Sequence, residues 1–214
     1  MRASTSYLAP ALFLLAAGCG SNEPGNATNQ TAAQASAAAE PAANAATVPP
    51  APNADRVLTA EGYGPLRIGM TLAEVTAALG PDSDPEAVGG PEPEMCDQFR
   101  PARAPEGLLV MMEDGRLTRI TLMSGSEIQT DKGLRVGATA AQVRAAYGPA
   151  IRSGHHKYQD PPAEYLTAWT RGGAGDEEAA PPDSRGIRYE VDQEGKVALI
   201  HAGGPSIQYV EGCL

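Results

Sequence analysis

The sequence is short of aromatic side chains, of positive charge and of long apolar runs. Phe, Tyr and Trp make up 5% of the 214 residues, whereas the chain has 24 Gly and 19 Pro. This composition argues against a bundle of long helices and favours short elements joined by turns. The formal net charge of −10 comes from 26 acidic and 16 basic residues, so the chain lacks the basic surface that nucleic-acid binding requires. The length predicts one large domain or two small units.

The N-terminus has the pattern of a signal peptide, with Arg2 followed by an apolar run over 7–17. A helix of that run reaches about 18 Å, too short for the ~30 Å hydrocarbon core of a bilayer. The small residues at 16–18 before Cys19 resemble the lipobox of bacterial lipoproteins. The resemblance implies a signal peptide over 1–18, a diacylated Cys19 and, since Gly20 rather than Asp follows, a lipid anchor in the outer membrane of a Gram-negative cell with the domain facing the periplasm. The residues alone leave open an ordinary cleaved signal with a buried Cys19.

Residues 19–55 are predicted to be a disordered tether. Between positions 20 and 54 they are mainly Ala, Asn, Gln, Thr, Ser and Pro, with Glu23 and Glu40 as the charged residues. Such a composition cannot bury a core, and its root-mean-square span is roughly 33 Å. The tether therefore separates the anchor from the folded part.

A sixteen-residue pattern that starts at Leu66 recurs 68 positions later at Leu134, with ten identical residues. In each copy a Thr is followed three residues later by Glu or Gln, which forms a capping box and predicts a helix start. A Gly-Pro pair then ends each helix. Apolar residues at i, i+3 and i+7 predict one stripe per helix that a sheet must cover; they are Leu72, Val75 and Leu79 in the first copy and Ala140, Val143 and Tyr147 in the second.

Strands are predicted after each helix. Residues 108–112 and 117–122 form a hairpin through the two-residue turn Asp114-Gly115, and 187–191 with 197–202 repeat it around Gly195. Further strands are expected over 95–100, 165–170 and 206–211, and the extra length of the second copy is assigned to the loop 171–185. The predicted class is α+β, with two tandem copies (56–131 and 132–214) of a short helix followed by antiparallel strands, and the helices packed on one sheet face.

The segment Ile68-Gly69-Met70-Thr71, followed by Val75 and Leu79-Gly80-Pro81, resembles the entry motif of the BamE/SmpA outer-membrane-assembly lipoproteins. The tandem arrangement is similar to that of the secreted β-lactamase inhibitory proteins, which carry this fold twice. The resemblance implies the fold and leaves the function open, because the assembly lipoproteins carry one unit and the inhibitors have an aromatic-rich concave face.

The chain has three cysteines. With Cys19 assigned to lipid, Cys96 and Cys213 remain as the pair expected to form a disulfide in the oxidising envelope. A redox or nucleophilic thiol is the alternative, and no Cys-x-x-Cys motif supports it.

Other residues with binding chemistry are few. Adjacent His155 and His156 lack a third metal ligand, so a solvated loop is expected there and no metal or cofactor is predicted. His201 should lie on the sheet face opposite Ile200, as an exposed residue or as part of a partner surface. Trp169 is either core or an interface anchor, with core favoured. The acids of the long loop are candidates for steering a basic partner or for solubility alone: Asp176, Glu177, Glu178 and Asp183.

The sequence carries no hydrolase or kinase motif, and we predict a non-enzymatic, lipid-anchored envelope protein that binds another envelope protein through its tandem-repeat sheet. Acidic charge favours a basic protein partner, and the oligomeric state stays open. The alternatives are an inhibitor of a secreted hydrolase, of the β-lactamase or lysozyme type, and a sugar- or peptidoglycan-binding module that stacks sugars on Trp169 and the tyrosines.

Overall fold

The computed structural model describes residues 56–87, 89–175 and 178–213, so the predicted signal peptide and tether lie outside the described residues. Within these ranges, no helix has the length and apolarity that crossing a membrane would take. The elements in chain order are β1 (Val57–Leu58), β2 (Gly62–Tyr63), β3 (Leu66–Arg67), α1 (Leu72–Leu79), β4 (Cys96–Phe99), β5 (Leu108–Glu113), β6 (Arg116–Leu122), β7 (Gln129–Thr130), α2 (Ala140–Tyr147), β8 (Ile151–His155), β9 (Glu164–Arg171), β10 (Arg185–Val191) and β11 (Val197–Gly203).

Both predicted helices begin at their capping boxes. The hydroxyl of Thr71 accepts from the backbone N–H of Glu74, and the Glu74 carboxylate accepts from the backbone N–H of Thr71 at 2.8 Å. Thr139 and Gln142 exchange the same two bonds at the start of α2. These reciprocal bonds satisfy N–H groups that have no partner inside the helix.

The apolar stripe predicted for α1 is wrong at its first position, because Leu72 is 51% exposed. The helix instead turns Val75 into the core, with Ala78 and Leu79 packed beside it. In α2 the predicted set Ala140, Val143 and Tyr147 does face the core. A short helix covers only a narrow strip of sheet, so the side chain in its first turn can overhang the edge.

The main sheet has seven strands, all antiparallel, in the order β4-β5-β6-β11-β10-β9-β8. The β5–β6 hairpin turns through Asp114 (φ 48°) and Gly115 (φ 70°) as predicted, because a turn with two positive φ angles matches the twist of the strands. The α+β class is thus confirmed. The predicted strand over 206–211 is wrong: a 3-10 helix occupies Pro205–Gln208, since Pro205 lacks the N–H that a ladder needs.

Two strands at the centre, β6 and β11, join the N-terminal and C-terminal halves of the sheet. Thr121 pairs with His201, and Ile120 and Leu122 pair with Ala202 and Ile200. Side chains alternate across a strand, so the aliphatic residues of this pairing face one side of the sheet and Thr121 and His201 face the other.

The aliphatic side of the sheet carries the main core. Its buried cluster includes Leu108, Ile120, Ile187 and Ile200 from the strands, together with Val75 and Val143 from the helices. Both helices therefore pack on this face.

The opposite side of the sheet is covered by residues 204–213, which we call the C-terminal segment. Ile207 is fully buried, and a Cβ added to Gly186 on β10 would lie 3.2 Å from Ile207 Cδ1 and 2.7 Å from Trp169 Cε3. The missing side chain at Gly186 thus gives the segment room to sit directly on the strand. Neither face of the sheet is open at its centre.

Candidate functional site

Two buried arginines fasten the C-terminal segment to the sheet. Arg119 on β6 donates to the carbonyl oxygens of Ser206 (3.1 Å) and Tyr209 (3.0 Å), and also to Gln98 Oε1 (2.6 Å). Arg188 on β10 donates to the carbonyl of Gln208 at 3.2 Å. Burial lowers the pKa of Arg119 to about 10, which leaves it charged at neutral pH. Charge-assisted bonds of this kind are among the stronger hydrogen bonds in proteins.

His201 lies on the predicted face, but the expectation of an exposed side chain is wrong, because it is 6% exposed beneath the C-terminal segment. Its Nδ1 lies 2.9 Å from Thr121 Oγ1, and its Nε2 lies 3.8 Å from Glu190 Oε2. Burial lowers the pKa of His201 to about 4, so the ring is neutral at pH 7. Hydroxyl, imidazole and carboxylate are ordered as in a hydrolase triad, yet Thr121 is also buried, which denies a substrate access to its hydroxyl.

His156 departs from the expected solvated loop, since it is 8% exposed while its neighbour His155 is exposed. Its Nδ1 accepts from the backbone N–H groups of Tyr158 and Gln159, each at 3.1 Å. The proton therefore resides on Nε2, which donates to Glu190 Oε1 at 3.2 Å. Among the described residues no group of three His, Cys, Asp or Glu is arranged to hold a metal. The His156–Glu190 contact closes a polar network.

Glu190 joins the two histidines on the buried face. Burial raises the pKa of its carboxyl, but the contacts with His201 and His156 outweigh that effect and hold the pKa below its ordinary value. Glu190 is thus a carboxylate at neutral pH. The network fixes the orientation of the two imidazoles and leaves neither ring free to act on a ligand.

A cleft of about 690 Å³ opens beside the C-terminal segment, and we call it the hairpin cleft. The tip of the β5–β6 hairpin lines one side, the loop that follows residue 177 lines another, and the C-terminal segment lines the third. Its apolar lining comes from Ile68, Leu117, Ala180, Pro182 and Pro205. A cavity of this size with an apolar lining and a few charged groups is typical of a binding site.

The charged lining of the hairpin cleft contains three acids and two arginines. The arginines are engaged locally: Arg116 donates to the carbonyl of Gly69 at 3.1 Å, and Arg185 donates to the carbonyl of Ser184 at 2.7 Å. None of the acids lies within ion-pair distance of a cation in the part of the chain that the structure describes. The three acids are Glu113, Asp114 and Glu178, and the carboxylate of Glu113 accepts a hydrogen bond from the hydroxyl of Tyr209.

Of the acids predicted in the long loop, Glu178 and Asp183 are described and both are exposed. Glu178 lines the hairpin cleft, whereas Asp183 lies outside it. The backbone carbonyl of Asp183 accepts a hydrogen bond from Arg171 Nε at 2.8 Å. Asp176 and Glu177 lie outside the described residues. Sequence reasoning missed Glu113 and Asp114, although their position at a hairpin tip next to the turn residue Gly115 is a readable signal.

Trp169 lies on the sheet face that the C-terminal segment covers and is half-buried. Its Nε1 donates to the carbonyl of Ala174 at 3.2 Å, and a Cβ added to Gly173 would lie 2.3 Å from its Cγ. The loop backbone thus covers the ring, which is outside the main core cluster. In this position the indole supports the base of the long loop and does not present an open stacking surface.

The two cysteines of the predicted pair lie side by side where the C-terminal segment meets an edge strand. The Cα atoms of Cys96 on β4 and Cys213 are 5.4 Å apart and their sulfur atoms lie within bonding distance. Formation of the disulfide stays a prediction that peptide mapping checks. If formed, the bond holds the far end of the segment across the sheet.

No protein-family model, no curated protein and no solved structure matches this chain. The site is therefore defined by geometry alone. Its accessible part is the hairpin cleft, and its buried part is the polar network beneath the C-terminal segment.

Proposed function

We propose that this chain is a non-enzymatic, lipid-anchored protein of the outer membrane whose domain, on the periplasmic side, binds another envelope protein through the hairpin cleft. The observation that carries the proposal is the set of three acids, Glu113, Asp114 and Glu178, around an apolar cavity, none of them in an ion pair among the described residues. The sequence predicted that the partner binds the sheet itself. We place the contact in the hairpin cleft instead, because both faces of the sheet are covered at the centre.

The occupant we propose for the hairpin cleft is a basic segment of the partner that also carries an apolar side chain. The apolar lining accepts the side chain, and the three acids of the cleft face the positive charge. Charges of opposite sign raise the association rate before contact is made. The excess of acidic residues over the whole chain, with a net charge of −10, acts in the same direction.

Neutralising the acids of the cleft should slow association with the partner. Cross-linking in cells followed by mass spectrometry identifies the partner, and stopped-flow or surface-binding kinetics then measure its association rate. The triple variant Glu113→Gln, Asp114→Asn, Glu178→Gln is expected to lower that rate about tenfold at low salt and to flatten its salt dependence, since exposed charges act over ~8–10 Å.

A matched variant separates the cleft from the general acidity of the chain. Asp84→Asn, Glu86→Gln and Glu106→Gln remove the same charge at exposed positions outside the cleft lining, and should leave the rate within about twofold of the unmodified protein. Equal slowing by both triple variants would contradict a role for the cleft.

We also propose that the two halves are copies of one α+β unit, as the resemblance to the BamE/SmpA lipoproteins implies. Two sets of equivalent contacts support this. The backbone N–H of Gly69 donates to the carbonyl of Leu117 at 2.7 Å, and the backbone N–H of Gly137 donates to the carbonyl of Val197 at 2.8 Å. The backbone of Thr71 forms an isolated β-bridge with Arg116 on β6. The backbone of Thr139 forms the equivalent bridge with Lys196 beside β11. Superposition of the two halves in an experimental structure tests the duplication.

Replacement of the predicted lipidated cysteine should release the protein from membranes. Cys19→Ser removes the acylation site, and a tether that lies outside the folded part leaves the domain intact. Fractionation of cells should move the protein from the membrane pellet to the soluble periplasmic fraction, with an unchanged unfolding midpoint. Cys96→Ser is the control and should stay with the membrane. Sedimentation of Cys19→Ser with membranes would refute the anchor.

A further inference from the structure

We infer that the outer edge of β8 binds an extended, acidic segment of another protein, which joins the seven-stranded sheet as an added strand. β8 ends the sheet and pairs with β9 alone among the described residues. Strand addition of this kind takes its affinity from main-chain hydrogen bonds and its specificity from pockets for alternate side chains. No residue of β8 lines the hairpin cleft, so the inference does not rest on the proposed function.

The N–H groups of β8 show which of its residues face outward. The N–H of Ile151, the first residue of the strand, donates to the carbonyl of Gly148, outside the ladder with β9. In an antiparallel ladder the backbone groups of successive residues point alternately toward one neighbour and away from it. Ser153 and His155 therefore also turn their N–H and C=O groups away from β9.

The ladders of the whole sheet give the same assignment. Gly204 donates its N–H to the carbonyl of Thr118 at 3.0 Å, which identifies a hydrogen-bonded pair in the register between β11 and β6. Following the alternation through β10 and β9 turns the backbone of Ser153 outward. Among the described residues no backbone group bonds to the outward N–H or carbonyl of Ser153 or His155, so both residues are available to a new strand.

The other edge of the sheet, β4, is covered. Gln98 donates its outward N–H to the carbonyl of Gly89 at 3.1 Å, and a Cβ added to Gly90 would lie 2.5 Å from the carbonyl oxygen of Cys96. Loop backbone thus takes the place of a neighbouring strand at β4, as is usual for a protected edge. At β8 the described residues provide no such cover, and its register with β9 runs without a shift, which leaves a regular edge for pairing.

Two cavities lie beside β8, and Gly154 lines both. The larger cavity, of about 660 Å³, lies on the face that the C-terminal segment covers, where its lining includes Tyr165 and Val210. Gly154 pairs with Tyr165 and has no side chain. A side chain of the added strand opposite Gly154 therefore extends over it into this cavity.

The smaller cavity, of about 390 Å³, includes Glu164 in its lining. The Glu164 carboxylate accepts from Arg144 of α2, which places this cavity on the face of the sheet that carries the helices. Its lining beyond β8 is otherwise apolar and consists of Pro161, Pro162 and Ala163. Side chains of a strand alternate between the two faces, so neighbouring residues of the added segment reach the two cavities in turn.

Two exposed cations favour an acidic segment. Between positions 151 and 157 the charged residues are Arg152 and Lys157, and neither is in an ion pair among the described residues. A second copy of this chain would bring the same two cations to the edge, whereas Asp or Glu of a different protein meets them with opposite charge. Arg152 lies on the same face as Gly154, so the acids belong on that face and small apolar residues on the other.

A pair of synthetic peptides tests the edge on the full ¹⁵N-labelled chain. Acetyl-Val-Glu-Val-Glu-Val-Glu-Val-amide has one apolar and one acidic face, and the same peptide with Lys in place of Glu reverses the charge. In nuclear magnetic resonance titrations at low salt the acidic peptide should bind at least about tenfold tighter than the basic peptide. It should also slow hydrogen exchange of the Ser153 and His155 amides more than that of Gly154, because the Gly154 N–H already faces β9.

Two variants at one position tie the binding to the backbone of β8. Ser153→Pro removes the outward N–H at an edge position that tolerates proline, and should weaken binding of the acidic peptide about tenfold. Ser153→Ala removes the hydroxyl but keeps the N–H, and should bind within about twofold of the unmodified chain. Unchanged amide signals in β9 and β10 show that the proline variant is folded.

N-methylated peptides make the test independent of the folding of any variant. Methylation of the valine nitrogens or of the glutamate nitrogens should abolish binding for one of the two sets only, because successive N–H groups of a strand point to opposite sides. The inference is overturned if the Ser153 and His155 amides gain no protection, if the basic peptide binds equally, if both methylated peptides bind alike, or if the folded proline variant binds as the alanine variant does. Protection of the same amides in the chain alone at rising concentration would also overturn it and would assign the edge to a second copy.

Discussion

Replacing Gly203 with alanine is expected to lower the free energy of unfolding by roughly 2–6 kcal/mol, because the change adds backbone strain and overpacking of about 1–3 kcal/mol each. Gly203 pairs with Arg119 at the centre of the sheet and has φ 146°. A Cβ there would lie 2.2 Å from the carbonyl oxygen of Thr118 and 3.2 Å from Arg119 Cα. These neighbours are backbone atoms of β6, so relief requires that the two central strands move apart. Urea unfolding followed by circular dichroism measures the loss.

Gly195→Ala separates the strain of a positive φ from the collision. Gly195 has φ 71° in the β10–β11 turn, and nothing lies within 4 Å of its added Cβ. This variant should therefore cost only about 1 kcal/mol. Equal losses for the two variants would show that the close approach at Gly203 contributes nothing.

Loss of the predicted disulfide is the other change with a large expected effect. The double variant Cys96→Ser, Cys213→Ser should lose about 4–5 kcal/mol of unfolding free energy, since the bond would close a loop of 117 positions. Amide hydrogen exchange should accelerate most in the C-terminal segment, because the segment then loses its covalent link to the edge strand β4. Peptide mapping without reductant should recover the two cysteines in one linked pair.

The reduced protein is the control for this variant. Unmodified protein treated with a thiol reductant should unfold at the same urea concentration as the double variant, while adding reductant to the variant should change nothing. Free thiols at both positions in protein taken from the periplasm, or a variant as stable as the oxidised protein, would contradict the predicted bond.

Local features of the fold were readable in the sequence. The capping boxes at Thr71 and Thr139 and the Asp114-Gly115 turn involve hydrogen bonds between residues at most three apart, so the residue types alone define them. The exposed edge strand β8 was not predicted. Ile151 is the only aliphatic residue among its five. A strand that pairs with one neighbour and otherwise faces solvent shows no alternation of apolar and polar residues in its sequence.

The covered face of the sheet was predicted only in part. Strand alternation placed His201 opposite Ile200 correctly, but nothing local to His201 shows what lies over it. The predicted Cys96–Cys213 pair brings the two ends of the sheet region together, but neither the order of the strands in the sheet nor the face that residues 204–213 cross was predicted. The burial of His201 therefore follows from the tertiary structure alone.

The sequence by itself determined the two capped helices, the hairpins and the α+β class, because each depends on periodicity or on bonds between near neighbours. Only the tertiary structure decided which polar groups are buried and where the cavities lie. Arg119 reaches carbonyls 87 and 90 positions away along the chain, and Glu113 and Glu178 line one cleft from separate halves of the chain. Such groups meet through the path of the whole chain, which no local pattern specifies.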